Sequence, residues 1–241
     1  ILASGVAHEI NNPLNVVMNF AQLILDDPSV GEEPRTFATT IVSESERMAA
    51  IVKNLLAFSR HEKEAHSPAD LATIVESTLG LIRATFRKDA IALNVAITPD
   101  LPKIRCRSQQ IQQVLLNLLT NARDALNARY PDGSPEKRIG VVVAPFERDG
   151  LAWTRLTVED GGTGIPPEIG QHVFDPFFTT KPKDKGTGLG LSISYGILKE
   201  HQGDLWFETE PGVGTRFHVD LKVDNGWSLE PPAQSDEASE V

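Results

Sequence analysis

Apolar residues near the start of the chain fall at Leu2, Val6, Ile10, Leu14, Val17, Ala21 and Ile24. The steps of 4, 4, 4, 3, 4 and 3 follow the 3.6-residue turn and predict an amphipathic helix over residues 2–26. Asp26-Asp27-Pro28 and the run from Gly31 to Pro34 break the pattern. It resumes over 35–64 through Phe37, Ile41, Met48, Val52, Leu55 and Phe58. Two such helices joined by a short turn make an antiparallel hairpin. One hairpin cannot cover both of its apolar stripes, whereas two hairpins paired as a four-helix bundle bury them. The pattern therefore predicts a homodimer formed through residues 1–66.

Beyond His66-Ser67-Pro68 the pattern becomes mixed. Ser67 as a helix cap with Pro68 at the first helical position predicts a helix over 68–88. "IALNVAI" (91–97) predicts a strand, and 108–128 a strongly apolar helix. "RIGVVVAPF" (138–146) and "AWTRLTVED" (152–160) predict paired strands around "ERDG", followed by a helix over 188–201. "LWFET" and "TRFHVDLKV" close the set as strands joined by "EPGVG". Helices with largely antiparallel strands in this order predict an α/β sandwich with its helices on one sheet face. The expected fold class is α+β: a helical hairpin over 1–66, an α/β sandwich over 67–223, and a tail over 224–241. That tail has five acids, no base and a Pro-Pro pair, and reads as disordered.

Composition narrows the function classes. Lys and Arg number 23 against 33 Asp and Glu, a net charge of -10 that argues against a nucleic-acid partner. The single cysteine, Cys106, cannot close an internal disulfide, which points to a reducing, cytoplasmic compartment. No apolar run approaches the ~20 residues that cross a membrane. Ile1 already lies inside a helical pattern, so the chain reads as a fragment; membrane tethering of an intact protein is left open.

Three segments carry candidate chemistry. "VEDGGTGIPP" (158–167) ends a strand in an acid and then places Gly161, Gly162 and Gly164 where backbone turns sharply or approaches a ligand closely. "KGTGLGLSIS" (185–194) runs Gly186, Gly188 and Gly190 into a helical pattern, and N–H groups at a helix start suit polyphosphate. "QQVLLNLLTNARDAL" (112–126) puts Asn117 and Asn121 on one helix face, oxygen donors of the kind that hold hydrated Mg²⁺. Alone, each segment reads equally as a loop or polar surface.

Their order changes that. "GVAHEINNPL" (5–14), the paired-Asn helix, Asp-Gly-Gly-x-Gly, "VFDPFFTTK" and Gly-x-Gly-x-Gly follow one another along the chain. This succession resembles the H, N, G1, F and G2 boxes of the sensor histidine kinases of two-component systems, and the resemblance covers nearly everything up to Val223. It implies a dimerisation and phosphotransfer hairpin followed by a Bergerat-type ATP-binding domain. It implies His8 as phosphoacceptor, Glu9 as its orienting and proton-accepting neighbour, and Asn12 as a phosphatase residue. It implies Asn121 with Asn117 as the Mg²⁺ ligands, Asp124 beside them, and Asp160 as acceptor from the adenine amino group. Gly162, Gly164, Ile165 and Thr215 then surround the base. Gly186, Thr187, Gly188, Leu189, Gly190 and Leu191 meet the triphosphate, and Lys181 lies in a lid over 175–187. Three aromatics around Asp175 are expected to anchor that lid by burial. The implied cofactors are ATP and Mg²⁺, and the implied partner is a response-regulator receiver domain. One departure stands in the G1 segment, where Gly161 replaces the family's frequent Asn.

The residues of the first segment read consistently with this. His8 lies two positions from Val6 and from Ile10, roughly 200° around the helix, and is expected to point away from the apolar stripe. Pro13 lacks an N–H and conflicts with the Glu9 carbonyl, so a bend beside His8 is expected. Two other functions compete with this one. A gyrase-type hydrolase needs a carboxylate where Asn117 stands, and a pseudokinase scaffold needs damaged nucleotide motifs.

Overall fold

The computed structural model describes residues 2–60, 65–182 and 186–224; within the first two helices the side chains of 2–9, 11, 47 and 50–60 stand outside the description. Helices α1 (Leu2–Asp26) and α2 (Glu32–Arg60) form the hairpin. α1 continues through Pro13 without a break. α2 begins three residues earlier than the periodicity predicts, because Glu32 and Glu33 favour the positive end of a helix and Pro34 is tolerated in a first turn. The connection is fixed locally. Asp27 Oδ1 accepts from Ser29 N at 2.8 Å and Ser29 Oγ at 2.7 Å, and Arg35 Nη2 donates back to Asp27 O at 2.7 Å. Leu14, Ala21, Ala38 and Ser45 are buried in the hairpin. Phe20, Leu23 and Phe37 remain 64%, 63% and 60% exposed, so much of the apolar surface of these helices lies outside the seam of one hairpin.

The second unit runs β1 (Ser67–Ala69), α3 (Leu71–Lys88), β2 (Ala92–Ile97), β3 (Ile104–Cys106), α4 (Ser108–Arg129), β4 (Arg138–Arg148), β5 (Leu151–Asp160), α5 (Pro167–Gly170), α6 (Gly190–Glu200), β6 (Asp204–Glu210) and β7 (Gly214–Lys222). Five strands form one sheet in the order β2-β4-β5-β7-β6, antiparallel except for the β2–β4 pair. Ile139, Val141 and Val143 of β4, Leu156 and Val158 of β5, and Phe217, Val219 and Leu221 of β7 alternate into the core. Opposite them, α4 contributes Ile111, Val114, Leu115, Leu118, Leu119, Ala122 and Leu126. The α+β class is thus observed: a helical hairpin, then a sheet covered on one face by helices.

One boundary differs from expectation. Ser67 and Pro68 do not open a helix; they belong to β1, paired antiparallel with β3 through Ser67↔Cys106 and Pro68↔Arg105. α3 starts at Leu71, where Asp70 caps it by accepting from Ala72 N at 2.8 Å. The carboxylate satisfies a helix-start N–H, while Pro68 sits on a two-stranded ribbon that tolerates a missing donor.

His201 closes α6 and ties it to α4. Its Nδ1 lies 2.7 Å from Ile197 O, which only accepts, so Nδ1 carries the proton. Nε2 then accepts from Arg107 N at 3.0 Å. The bond accepted by Nε2 requires the neutral ring; burial pushes its pKa down to about 4 against the pull of the Ile197 carbonyl, with His66 and Arg107 adding to the fall. Between about pH 6.5 and 4 the unfolded chain takes a proton that the folded ring refuses, so stability drops as pH falls through that window. The expected loss from this ring between pH 6.5 and 4.5 is about 2 kcal/mol. Asp160, whose carboxyl is raised to about 6, acts in the opposite sense. Urea unfolding of wild type and His201→Gln across these pH values isolates the ring, and the variant should show the shallower decline.

Candidate active site

β5 ends in Asp160, whose Cα partner across the sheet is Thr215 of β7. Asp160 is 6% exposed. Its Oδ1 accepts from Gly162 N at 2.8 Å. Burial pushes the carboxyl up to about 6; the Gly162 N–H draws it back, the Glu159 charge raises it further, and the Thr215 N–H again lowers it. A carboxylate has more lone pairs than these two N–H groups use, so it can accept from a ligand donor as well.

The loop after Asp160 is held from three sides. A Cβ on Gly162 would lie 2.6 Å from Ala125 Cβ of α4 and 2.7 Å from Asp160 Oδ1, so only glycine lets the loop approach the helix. Gly164 has φ +68, and a side chain there would run into the Glu210 carbonyl. Ile165 N donates to Thr209 Oγ1 at 2.8 Å; that hydroxyl also bonds Gly214 O at 3.1 Å and meets Thr215 Oγ1 at 3.0 Å. Arg129, the last residue of α4, donates from Nη1 to Gly161 O at 2.9 Å, Gly162 O at 3.0 Å and Val213 O at 2.9 Å. Arg129 and Thr209 were not read as site residues from the sequence. A basic residue in a last helical turn and a threonine on a strand carry no motif, and their partners lie 32 to 84 and 44 residues away.

The other end of the site lies where α4 meets the start of α6. Asn117 Nδ2 donates to Gly190 O and Ser194 Oγ, each at 3.2 Å, and so fastens the two helices. Leu189, itself buried, precedes α6 and offers no side-chain cap, so the first N–H groups of α6 are not taken by one. One turn beyond Asn117, Lys181 Nζ lies 3.0 Å from Asn121 Oδ1 and 2.6 Å from Asp124 Oδ2. Gly186 packs beside Thr179 and Lys181, and Gly188, at φ +68, packs against the Phe177 backbone. Leu191 is half-buried against the core, and Thr187 Oγ1 accepts from Leu189 N at 3.4 Å. Lys183 and Lys185 lie outside the described residues.

The aromatic anchor is narrower than expected. Phe174 packs on Tyr195 and Phe207 at ring distances of 5.3 and 5.9 Å, and Phe178 meets the His172 ring at 5.9 Å. Phe177 is 63% exposed with φ +67. The turn that puts its backbone against Gly188 directs its side chain outward.

On α1, Asn12 is exposed. His8 and Glu9 lie on the same helix, with side chains outside the described set.

Comparison with known proteins adds to this geometry. Residues 106–225 match the family described as "Histidine kinase-, DNA gyrase B-, and HSP90-like ATPase". Residues 1–64 match the "His Kinase A (phospho-acceptor) domain". Sporulation kinase E of Bacillus subtilis is 32% identical over 92% of this chain, which spans 28% of that protein. The sensory histidine kinase/phosphatase NtrB of Rhizobium leguminosarum is 32% identical over 95% of the chain, which spans 60% of it. The chain thus covers less than two thirds of these relatives. Among solved structures, full-length ShkA in complex with AMPPNP shares the fold at a TM-score of 0.63 and 24% identity, over 91% of this chain and 45% of that one. The mycobacterial sensor histidine kinase MprB aligns at a TM-score of 0.52 and 28% identity, over 66% of this chain and 97% of that one.

Gly164→Ala tests the loop geometry. A left-handed backbone carrying a Cβ, forced against the Glu210 carbonyl, should lower stability by about 2 kcal/mol, read as a reduced urea midpoint at unchanged m-value.

Proposed function

The chain belongs to the sensor histidine kinases of two-component systems, and from that premise we propose that it phosphorylates His8 from ATP and passes the phosphoryl group to an aspartate of a response-regulator receiver domain. The observation that carries this reading is the pairing of a buried carboxylate, Asp160, with a cation-binding oxygen pair on the same helix-covered unit, Asn121 and Asp124. The first suits the amino group of adenine and the second the metal end of a triphosphate.

The adenine-ring amine donates to the Asp160 carboxylate, while Gly162, Gly164, Ile165 and Thr215 shape the pocket around the base. Gly186, Thr187, Gly188, Leu189, Gly190 and Leu191 bring N–H groups at the α6 start toward the phosphates, where the helix end favours anions. The oxygens of Asn121 and Asp124 already converge on an ammonium, the hard-donor behaviour that suits Mg²⁺. Asn121 would hold the ion with Asn117, whose amide oxygen remains after its nitrogen is bonded to α6. Bound there, Mg²⁺ neutralises phosphate charge. Lys181 supplies a further positive charge on the same side.

His8 offers one ring nitrogen lone pair to the γ-phosphorus. The new N–P bond forms as the bond from phosphorus to the ADP oxygen breaks, and the electron pair leaves with ADP. Glu9 orients the ring through the proton on its other nitrogen and accepts that proton. Most of the rate comes from positioning and charge neutralisation. Asn12, one helical turn from His8, aligns water against the phosphoaspartate of the regulator for the phosphatase reaction, in which the P–O bond to the aspartate breaks and inorganic phosphate leaves.

We divide the chain into a dimerisation and phosphotransfer unit over 1–66, an ATP-binding unit over 67–223 and a tail over 224–241. Phe20, Leu23 and Phe37, exposed on one hairpin, support a homodimer in which a second hairpin covers them. Among the described residues no helix is long and apolar enough to cross a membrane. Use of ATP and a buried free Cys106 support a reducing cytoplasmic setting.

Incubation with γ-labelled ATP should give an acid-labile, base-stable label that His8→Gln abolishes. Label surviving that change would refute the assignment of His8, and phosphate release from an unlabelled chain would favour a hydrolase. Asn12→Ala should retain the label and slow dephosphorylation of the phosphorylated regulator by about tenfold or more. Asp160→Asn should raise the KM for ATP by about tenfold, read from initial rates, because the substituted amide offers one acceptor oxygen in place of two.

A further inference from the structure

We infer that Arg129 is a positioning residue for base recognition: by holding the carbonyls of Gly161, Gly162 and Val213, it aims the Gly162 N–H at Asp160 and thereby sets the carboxylate that selects adenine. This rests on the ATP-binding reading above.

The argument is geometric. The Gly161 carbonyl and the Gly162 N–H belong to one planar trans peptide, so they point in opposite directions. Arg129 Nη1 takes that carbonyl at 2.9 Å, and the N–H on its far side bonds Asp160 Oδ1 at 2.8 Å. Rotating the peptide breaks both bonds together. With glycine on both sides of that peptide, backbone sterics alone do not fix its orientation. The guanidinium supplies the missing constraint. Its third contact, to Val213 O, reaches the β6–β7 turn, which closes on the loop at Gly214, where a Cβ would meet the Asp160 carbonyl. The guanidinium is itself kept in place over the Tyr130 ring, with Cζ 5.1 Å from the centroid, and Tyr130 Oη bonds Glu136 Oε2 at 2.9 Å.

An arginine suits this post better than a lysine. One guanidinium nitrogen with two hydrogens spans three carbonyls from a fixed plane, whereas an ammonium on a flexible stem is a point charge with no preferred plane. Loss of the contacts leaves Gly162 O, in a buried residue, short of its donor and frees the peptide to turn.

The test uses the whole chain as wild type, Arg129→Lys and Arg129→Met, with ATP and GTP as the probes. Calorimetric titration gives affinities, and labelling rates give KM and kcat. For Arg129→Met we expect the KM for ATP to rise about tenfold, with a much smaller change in turnover at saturating ATP. Arg129→Lys, which keeps the charge, should recover part of the loss. The preference for ATP over GTP should narrow in both, because a carboxylate that has lost its aim rejects the guanine carbonyl less. The acid limb of ATP binding should also move to higher pH. The Gly162 N–H holds the Asp160 carboxyl down against burial and the Glu159 charge, and loosening it lets the pKa rise. Seeing this shift in the lysine variant separates geometry from charge. A folded variant with wild-type ATP affinity and base preference would overturn the proposal. So would equal weakening of ATP and GTP with an unmoved pH limb, which would leave Arg129 a purely structural clasp. If Arg129→Met fails to fold, the lysine variant decides alone. A wild type that binds neither nucleotide would refute the kinase reading, and this proposal with it.

Discussion

A carboxylate that is 6% exposed at the end of a strand has to be satisfied by the protein around it, and Asp160 imposes that demand on its neighbourhood. Two backbone N–H groups answer it, one from Gly162 and one from Thr215. The first requires the chain to double back within two residues, which places Gly162 against Ala125 of α4. The second requires β7 to run beside β5 in a register that sets Thr215 opposite Asp160. Gly164 and Gly214 then take backbone conformations that bulkier residues resist, each against a carbonyl of the opposing segment. The glycines of this region are thus the geometric consequence of burying one acid beside a helix.

How much of this was legible follows from how local each feature is. The hairpin helices and α4 show in the spacing of apolar residues, because a helix face repeats within a few positions. β4 and β5 show in the same way, although both run further than their apolar cores, to Arg148 and from Leu151, since the turn needs only Asp149 and Gly150. The β1–β3 ribbon did not show. Ser67 and Cys106 are 39 residues apart, and a cap-like Ser-Pro outweighs a three-residue strand when only local signals are read. The parallel β2–β4 pair is invisible for the same reason, because direction depends on the path through α4. Asp160, Asn121 and the glycines sat in motifs, whereas Arg129 and Thr209 act on loops that only the fold brings within reach. The outward turn of Phe177 is likewise absent from the sequence pattern, because composition does not report a positive φ.

The two ends of the site differ in stiffness. At the Asp160 end the restraints are backbone carbonyls, glycine contacts and a threonine hydroxyl, each tied to a strand or to α4. At the other end Lys181 reaches Asp124 and Asn121 through flexible side chains, about 30% exposed for the ion pair. A pair in that setting contributes only about 1 kcal/mol, little enough for a competing cation or phosphate group to displace. The Asp160 end holds one geometry, while the Lys181 end rearranges at small cost.

α4 is what allows those ends to differ without separating. Asn117, Asn121 and Asp124 follow one another at steps of 4 and 3, a polar stripe beside the apolar one formed by Ile111, Val114, Leu115, Leu118, Leu119, Ala122 and Leu126. Each large side chain of that apolar stripe stabilises the packed state by roughly 1.5–3 kcal/mol. Together they far exceed the contribution of the Lys181 contact. A shift of α4 large enough to move Asn121 would drag those residues out of the core, so the segments facing the helix give way more readily than the helix does. Asn117 extends the same rule to the first turn of α6 through Gly190 and Ser194, and Arg129 extends it from the helix end to the loop that holds Asp160. One buried helix therefore sets the distance between the acid and the amides, and the chemistry at either end inherits its precision from the packing of leucines.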